Sequence, residues 1–310
     1  MDKMRNATHA GSWYIDNPTS LEKQLGGFTY ASDPPIEGKR FIISPHAGYM
    51  YSGSTATQAF QRINFENRKR VFILGPSHHV FTRKCLVSQA EACITPFGNL
   101  TVDREVCQDI IEQNDNCFNE MSLTADEEEH SIEMQFPLLA YHLQKQGCLD
   151  RVKIVPIMVG ALSSEAIQTA ANILCNYIVD EKNVFIVSSD FCHWGRRFGY
   201  TMYLNETNDL EDAIISFRRR GSIENPKIYE SISALDHMGM KIISTKSSRE
   251  FGKYIRLTHN TICGRYPIQL ILKSMELAQV SNQFEFIAYA QSNRARNVSD
   301  SSVSYAAAIA

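Results

Sequence analysis

Three short apolar runs in this chain each end on a histidine-bearing turn, and together they suggest one reactive site. Phe41-Ile42-Ile43-Ser44-Pro45 leads into His46-Ala47-Gly48-Tyr49, and Val71-Phe72-Ile73-Leu74-Gly75-Pro76-Ser77 leads into His78-His79. Val184-Phe185-Ile186-Val187-Ser188-Ser189 leads into Asp190-Phe191-Cys192-His193-Trp194. Adjacent side chains on an extended segment face opposite ways, so at most one of His78 and His79 readily joins the cluster while the other supports it or faces solvent. Asp190 and His193, three apart on a turn, can reach one site together. The constellation of His46, His78 and His193 points to a metal site.

Other reactive residues carry competing readings. Cys263, in Asn260-Thr261-Ile262-Cys263-Gly264-Arg265, precedes a helix-like stretch. A helix N-terminus lowers a thiol pKa and raises its thiolate character. A buried, inert thiol is the alternative, and sequence alone favours it. His130 and Glu133 share one helical face, a spacing used by some metal carboxylate sites. Without a second such pair, a salt bridge at a helix start is the better reading. Trp13, in the turn His9-Ala10-Gly11-Ser12-Trp13-Tyr14, either lines a pocket or covers a core edge. His142, His237 and His259 read as surface or structural.

The elements that must position these residues alternate between strand and helix. Short β-branched and aromatic runs bounded by Gly, Pro and Ser read as buried strands. In an open α/β sheet, loops at the carboxyl ends of parallel strands share one rim, where ligands bind. Helices are expected over 53–61, 102–113, 163–177, 232–244 and 267–278, and further strands over 152–159, 284–288 and 303–309. Thr124 and Glu127 have capping-box spacing, and residues 126–129 place acidic charge where a helix dipole favours it. Ile132, Phe136 and Leu139 fall at helical spacing, with Pro137 as a kink or break. Residues 199–230 read as a surface excursion with short helical pieces. The sum is one α/β domain, a mostly parallel sheet between helices.

Composition narrows the function classes. The 310 residues are 44% hydrophobic and 21% charged, enough for a large core. A formal net charge of -3 gives no basic footprint, so nucleic acid is not an expected partner. The one basic run, Arg218-Arg219-Arg220, reads as a solvated helix end. No window reaches the ~18 apolar residues of a membrane span. The opening Met1-Asp2-Lys3-Met4-Arg5-Asn6 lacks a secretory apolar core. Eight scattered cysteines, with no CxxC pair, read as reduced thiols of a cytosolic protein. Cys85, Cys93, Cys107, Cys117, Cys148 and Cys175 read as small buried hydrophobes.

Several ordered segments resemble the Memo family, mediators of receptor-driven cell motility. They are His9 to Tyr14, Pro45 to Tyr49, Ile73 to His79, Glu129 to Met134, Val187 to Gly195, Asn260 to Gly264 and Asp300 to Ala306. The resemblance covers nearly all of 1–310 as a single Memo-like domain, and is weakest from Thr201 to Tyr229. It implies a three-layer α/β sandwich with a mostly parallel central sheet, similar to the class III non-haem iron extradiol dioxygenases. By that resemblance His46 and His78 fall at the histidine-ligand positions, His193 at the acid/base histidine, and Cys263 where those enzymes carry a glutamate ligand. A thiolate is softer than a carboxylate and favours copper, zinc or a differently tuned iron.

The implied function is a cytosolic redox protein holding iron or copper at His46, His78 and Cys263, linked to cell motility and cytoskeletal signalling. Asp190 and His193 would form a second shell or proton relay. A second reading is a signalling adaptor whose crevice, with Trp13 and Tyr51, receives phosphotyrosine-containing receptor or adaptor peptides. A true extradiol dioxygenase ranks last because of Cys263. The expected location is the cytoplasm, with the nucleus as a second site.

Overall fold

The computed structural model describes residues 3–29, 33–204, 214–216 and 227–310. The three runs before the histidines are strands Phe41–Ser44, Arg70–Pro76 and Asn183–Ser188. From Val71 to Pro76 and from Asn183 to Ser188, every residue is buried. Successive strand residues face opposite sides, so unbroken burial requires cover on both faces of the sheet. One helical layer packs Tyr49–Phe60 with Phe136–Lys145, and the other packs Ser164–Ile178 with Arg265–Leu277. A three-layer α/β sandwich results.

Among the described residues the sheet has nine strands and is mixed. Phe41–Ser44, Asn183–Ser188, Arg70–Pro76 and Lys153–Val159 lie side by side and parallel, and these are its long central ladders. Antiparallel pairing brings in Ser302–Ile309 beside Phe41–Ser44, and Cys85–Ser88 beside Lys153–Val159. Glu285–Gln291 and His193–Trp194 both pair with Ser302–Ile309, and Phe118–Met121 closes the far edge. The expected parallel centre is present. The margin built from Cys85–Ser88, antiparallel to Lys153–Val159, and Phe118–Met121, parallel to Cys85–Ser88, was not visible in the alternation pattern.

Helix boundaries follow their caps. Asn17, Ser122, Ser163 and Ser247 each accept a backbone N–H with the side chain, satisfying donors that a helix start leaves free. The cap of Leu123–Glu128 is therefore Ser122, not Thr124. Pro137 does not kink a helix: it sits in the first turn of Phe136–Lys145, where its missing N–H costs nothing. Ser248–Thr258 is a helix the sequence reading passed over; its buried Phe251, Tyr254 and Thr258 fall at three- and four-residue spacing.

Five of the six cysteines expected inside are buried, whereas Cys175 is only partly covered. The excursion expected over 199–230 contributes strand Met202–Leu204, paired with 214–216, and its remaining part from 205 lies largely outside the described residues. The basic run Arg218-Arg219-Arg220 lies outside them too. Among the described residues no helix is long and apolar enough to cross a membrane.

Candidate metal centre

Parallel register levels the three histidine turns. Ser44 pairs with Ser188 and Leu74 with Val187, so the three strands end together at one rim. A cavity of about 650 Å³ opens there, bordered by His46, His78, Asp190 and His193. Trp13 and Tyr51 border it as well and stay exposed, at 37% and 62%. His79 is exposed and takes no part in the donor group. One histidine of the pair joins, although both lie in a bend beyond the end of Arg70–Pro76 rather than in the strand itself.

Donor atoms of His46, His78 and Cys263 lie within 4.8 Å of one another. The hydrogen bonds around His46 fix its tautomer. Ser188 Oγ donates to the Ser131 carbonyl at 2.6 Å and accepts from Gln135 Nε2 at 2.9 Å. A hydroxyl has one proton, so the 2.8 Å contact with His46 Nδ1 must be donated by the ring. Nε2 is left as a bare lone pair, 3.2 Å from Cys263 Sγ. Burial, then the neighbouring His78, pushes the His46 pKa well down, so the ring stays neutral and able to ligate.

His78 is held in the same sense. Its Nδ1 lies 2.8 Å from Glu129 Oε1, and its backbone N–H donates to Oε2 at 2.6 Å. Burial would raise the Glu129 pKa, yet the hydrogen bonds and charge of His78 outweigh it and the carboxyl is held down. A carboxylate on one ring nitrogen leaves the other free for a metal. Glu129, His78 and His130 also form a donor group of their own. That carboxylate already accepts from His78 Nδ1, His78 N and Ser131 N.

Cys263 reaches the site because Gly264 lets its loop touch the end of Asn183–Ser188. A Cβ at Gly264 would fall 2.4 Å from Ser189 Cβ and 2.6 Å from the Ser188 carbonyl oxygen. Of the two readings of Cys263, a helix-start thiolate and a buried thiol, the electrostatics favour the second, the one the sequence preferred. Burial, then the nearby Asp190, pushes the thiol up. Without a cation beside it, Cys263 is a protonated thiol; the Asp190 N–H at 3.3 Å is poised to support sulfur charge once one arrives.

Asp190 and His193 stand beside these donors. Asp190 Oδ1 accepts from the His46 N–H at 2.8 Å and the Ala47 N–H at 3.3 Å, which orients the His46 turn. Burial pushes the Asp190 pKa up, with His193 opposing. His193 Nδ1 faces two carbonyl oxygens, of Phe191 at 2.9 Å and Thr261 at 3.1 Å. Both can only accept, so Nδ1 carries a proton and Nε2 remains for proton exchange. Thr261 also accepts from His193 N at 2.7 Å and donates to its carbonyl at 2.9 Å, clamping the His193 turn to the Cys263 loop.

Three residues take roles that the sequence did not reveal: His130, Glu129 and Asp126. The expected His130–Glu133 bridge is absent. Glu133 is consumed by buried Arg5, by His9 and by the Tyr14 hydroxyl. His130 instead borders the cavity, stacked 4.4 Å from the His78 ring and 4.5 Å from Trp13. Burial first, then His46 and His78, lowers its pKa. Glu129 and Asp126 read as helix-dipole charges; Glu129 orients His78, and Asp126 is buried against Arg5 at 2.9 Å. No local signal separated these roles, since both depend on partners over fifty residues away. Trp13 proves to be a pocket wall.

The comparisons with known proteins cover the whole of this architecture. A MEMO1 family protein of Schizosaccharomyces pombe is 62% identical over 307 residues, spanning 99% of both chains. Protein MEMO1 of Danio rerio is 42% identical and that of Homo sapiens 40%, each over 98% of this chain and 96% of its own. The family model described as Memo-like protein matches residues 5–309, and with relatives of this identity along the full length the chain belongs to the Memo family.

Proposed function

We propose that this chain is a redox metalloprotein that holds iron or copper between His46 Nε2, His78 Nε2 and Cys263 Sγ. The observation that carries the reading is the convergence of three donors from strand ends and a distant loop, with Nδ1 of each imidazole engaged by a protein acceptor so that Nε2 is the ring nitrogen left to ligate. Two imidazoles and a thiol suit a borderline or soft ion better than a hard one. A bound iron or copper ion supplies one-electron chemistry. Around it, Asp190 orients His46, Glu129 orients His78, and His193 presents Nε2 for proton transfer. Ring-cleaving dioxygenase chemistry ranks last, since the third donor is sulfur rather than carboxylate oxygen. A location in the cytoplasm fits a metal held by a reduced thiol. Elemental analysis of protein purified without chelating resin tests the reading: a stoichiometric redox metal supports it, and its absence from fully folded protein sinks it.

Exposed Trp13 and Tyr51 favour a second reading, in which the same mouth receives a phosphotyrosine peptide as part of cell-motility signalling. Aromatic walls and histidine donors suit a phosphorylated phenol. Retained phosphopeptide binding by metal-free protein separates this role from the first.

A further inference from the structure

The cavity has a second polar wall that the metal reading leaves unused. Arg197, Asn293, Ser292 and Ser301 border it together with Phe198 and Tyr305. Arg197 is exposed, and its guanidinium carbon lies 4.4 Å from the Phe198 ring centroid. Among the described residues no carboxylate is paired with it. A guanidinium steadied by an aromatic face keeps its edge N–H groups for an incoming anion. Asn293 is oriented in the same sense: its carboxamide oxygen accepts from Ser292 Oγ at 2.9 Å, so the Nδ2 end is the one left to donate. Among the described residues the one acid lining the cavity is Asp190, whose Oδ1 already accepts two backbone N–H groups of the His46 turn.

We infer that the cavity takes a small planar monocarboxylate, its acid group against Arg197 and Asn293 and its opposite end towards His46, His78 and His193. The charge count selects the class. One guanidinium matches a single carboxylate and can bind it through two parallel N–H bonds. Arg197 and Asn293 alone leave part of a phosphoryl group's nearly two negative charges unmatched, so a phosphorylated phenol would have to turn its phosphate to the histidine side of the mouth instead. Trp13, Tyr51 and Phe198 give a flat molecule aromatic surfaces to lie on. The volume of about 650 Å³ is that of an ordinary small-molecule site. This inference rests on the rim cavity being the ligand site, not on which metal the donors hold.

Calorimetric titration of the full chain tests it, with 4-hydroxybenzoate, its neutral partner 4-hydroxybenzamide, and phenyl phosphate as probes. Each is run on chelator-treated and on anaerobic Fe(II)-loaded protein. The acid should bind about tenfold or more tightly than the amide, as a charge-assisted pair does over a neutral one. Arg197→Gln should erase that preference and Arg197→Lys restore part of it, with metal affinity unchanged in both. Equal binding of acid and amide, or none of either, overturns the inference. So does a preference that survives in Arg197→Gln, and so does phenyl phosphate binding more tightly than the acid. A chain that retains no metal yet keeps the acid preference would sink the metal reading alone.

Discussion

His46 Nε2 and Cys263 Sγ lie 3.2 Å apart, although 217 positions separate the two residues in the chain. The contact joins the end of a central strand to the loop before the last helix, and it places a thiol against a neutral imidazole lone pair, with the Asp190 carbonyl oxygen 3.5 Å from the same sulfur. A cation between them would exchange the thiol proton for a metal–sulfur bond, with the Asp190 N–H already aimed at the sulfur.

Cys263→Glu is expected to shift metal preference from Cu(I) towards Fe(II), because a hard oxygen donor replaces a polarisable sulfur. Competitive titration of both proteins with the two ions under anaerobic, reducing conditions reads the change directly. If relative affinities stay the same, Cys263 is a bystander to metal binding.

His193 is expected to be dispensable for affinity but needed for oxygen chemistry. Its Nδ1 is committed to carbonyl oxygens, and it stands outside the three-donor group. His193→Ala should leave Fe(II) or Cu(I) binding nearly intact while superoxide production falls. Outright loss of metal from the variant would make His193 a direct ligand.

Glu129→Gln should weaken metal binding by about 10- to 100-fold, the usual effect of losing a carboxylate behind a ligating histidine. The amide keeps the shape and one acceptor for His78 but loses the negative charge. Equilibrium dialysis against a chelator measures the loss, and circular dichroism verifies that the fold is kept. Wild-type affinity in a folded variant would remove Glu129 from the metal centre.

His142 gives a pH prediction that is independent of the metal. It is buried, stacks on Phe60 at 5.9 Å, and has no partner for Nε2 among the described residues. Burial lowers its pKa from 6.5 to about 3. A depressed folded-state pKa means the unfolded chain binds the proton first. The stability contribution is therefore complete above pH 6.5 and lost as pH falls towards 3. His142→Phe should move the acid-unfolding midpoint to lower pH, with little change in stability at pH 8. A midpoint that stays in place would assign acid unfolding to other groups.

Much of this protein was legible in its residues alone. Runs such as Val71 to Pro76 announced strands because continuous apolar β-branched sequence is stable only when covered on both faces. Three such runs, each followed by a histidine, were enough to place His46, His78 and His193 on one rim. Ordered motifs from His9 to Ala306 also carried the family, which full-length relatives bear out. What local sequence could not settle was every choice made by a distant partner. Glu133 faced His130 along the helix but was taken by Arg5, 128 positions earlier. Cys263 was poised at a helix start, yet burial overrode the helix field because desolvating a thiolate outweighs a partial charge. The ring proton of His46 was decided by the single hydroxyl proton of Ser188, already given to Ser131. Periodicity reports which face of an element is buried; the partner that a buried polar group meets there is set only when the sheet and loops close around it.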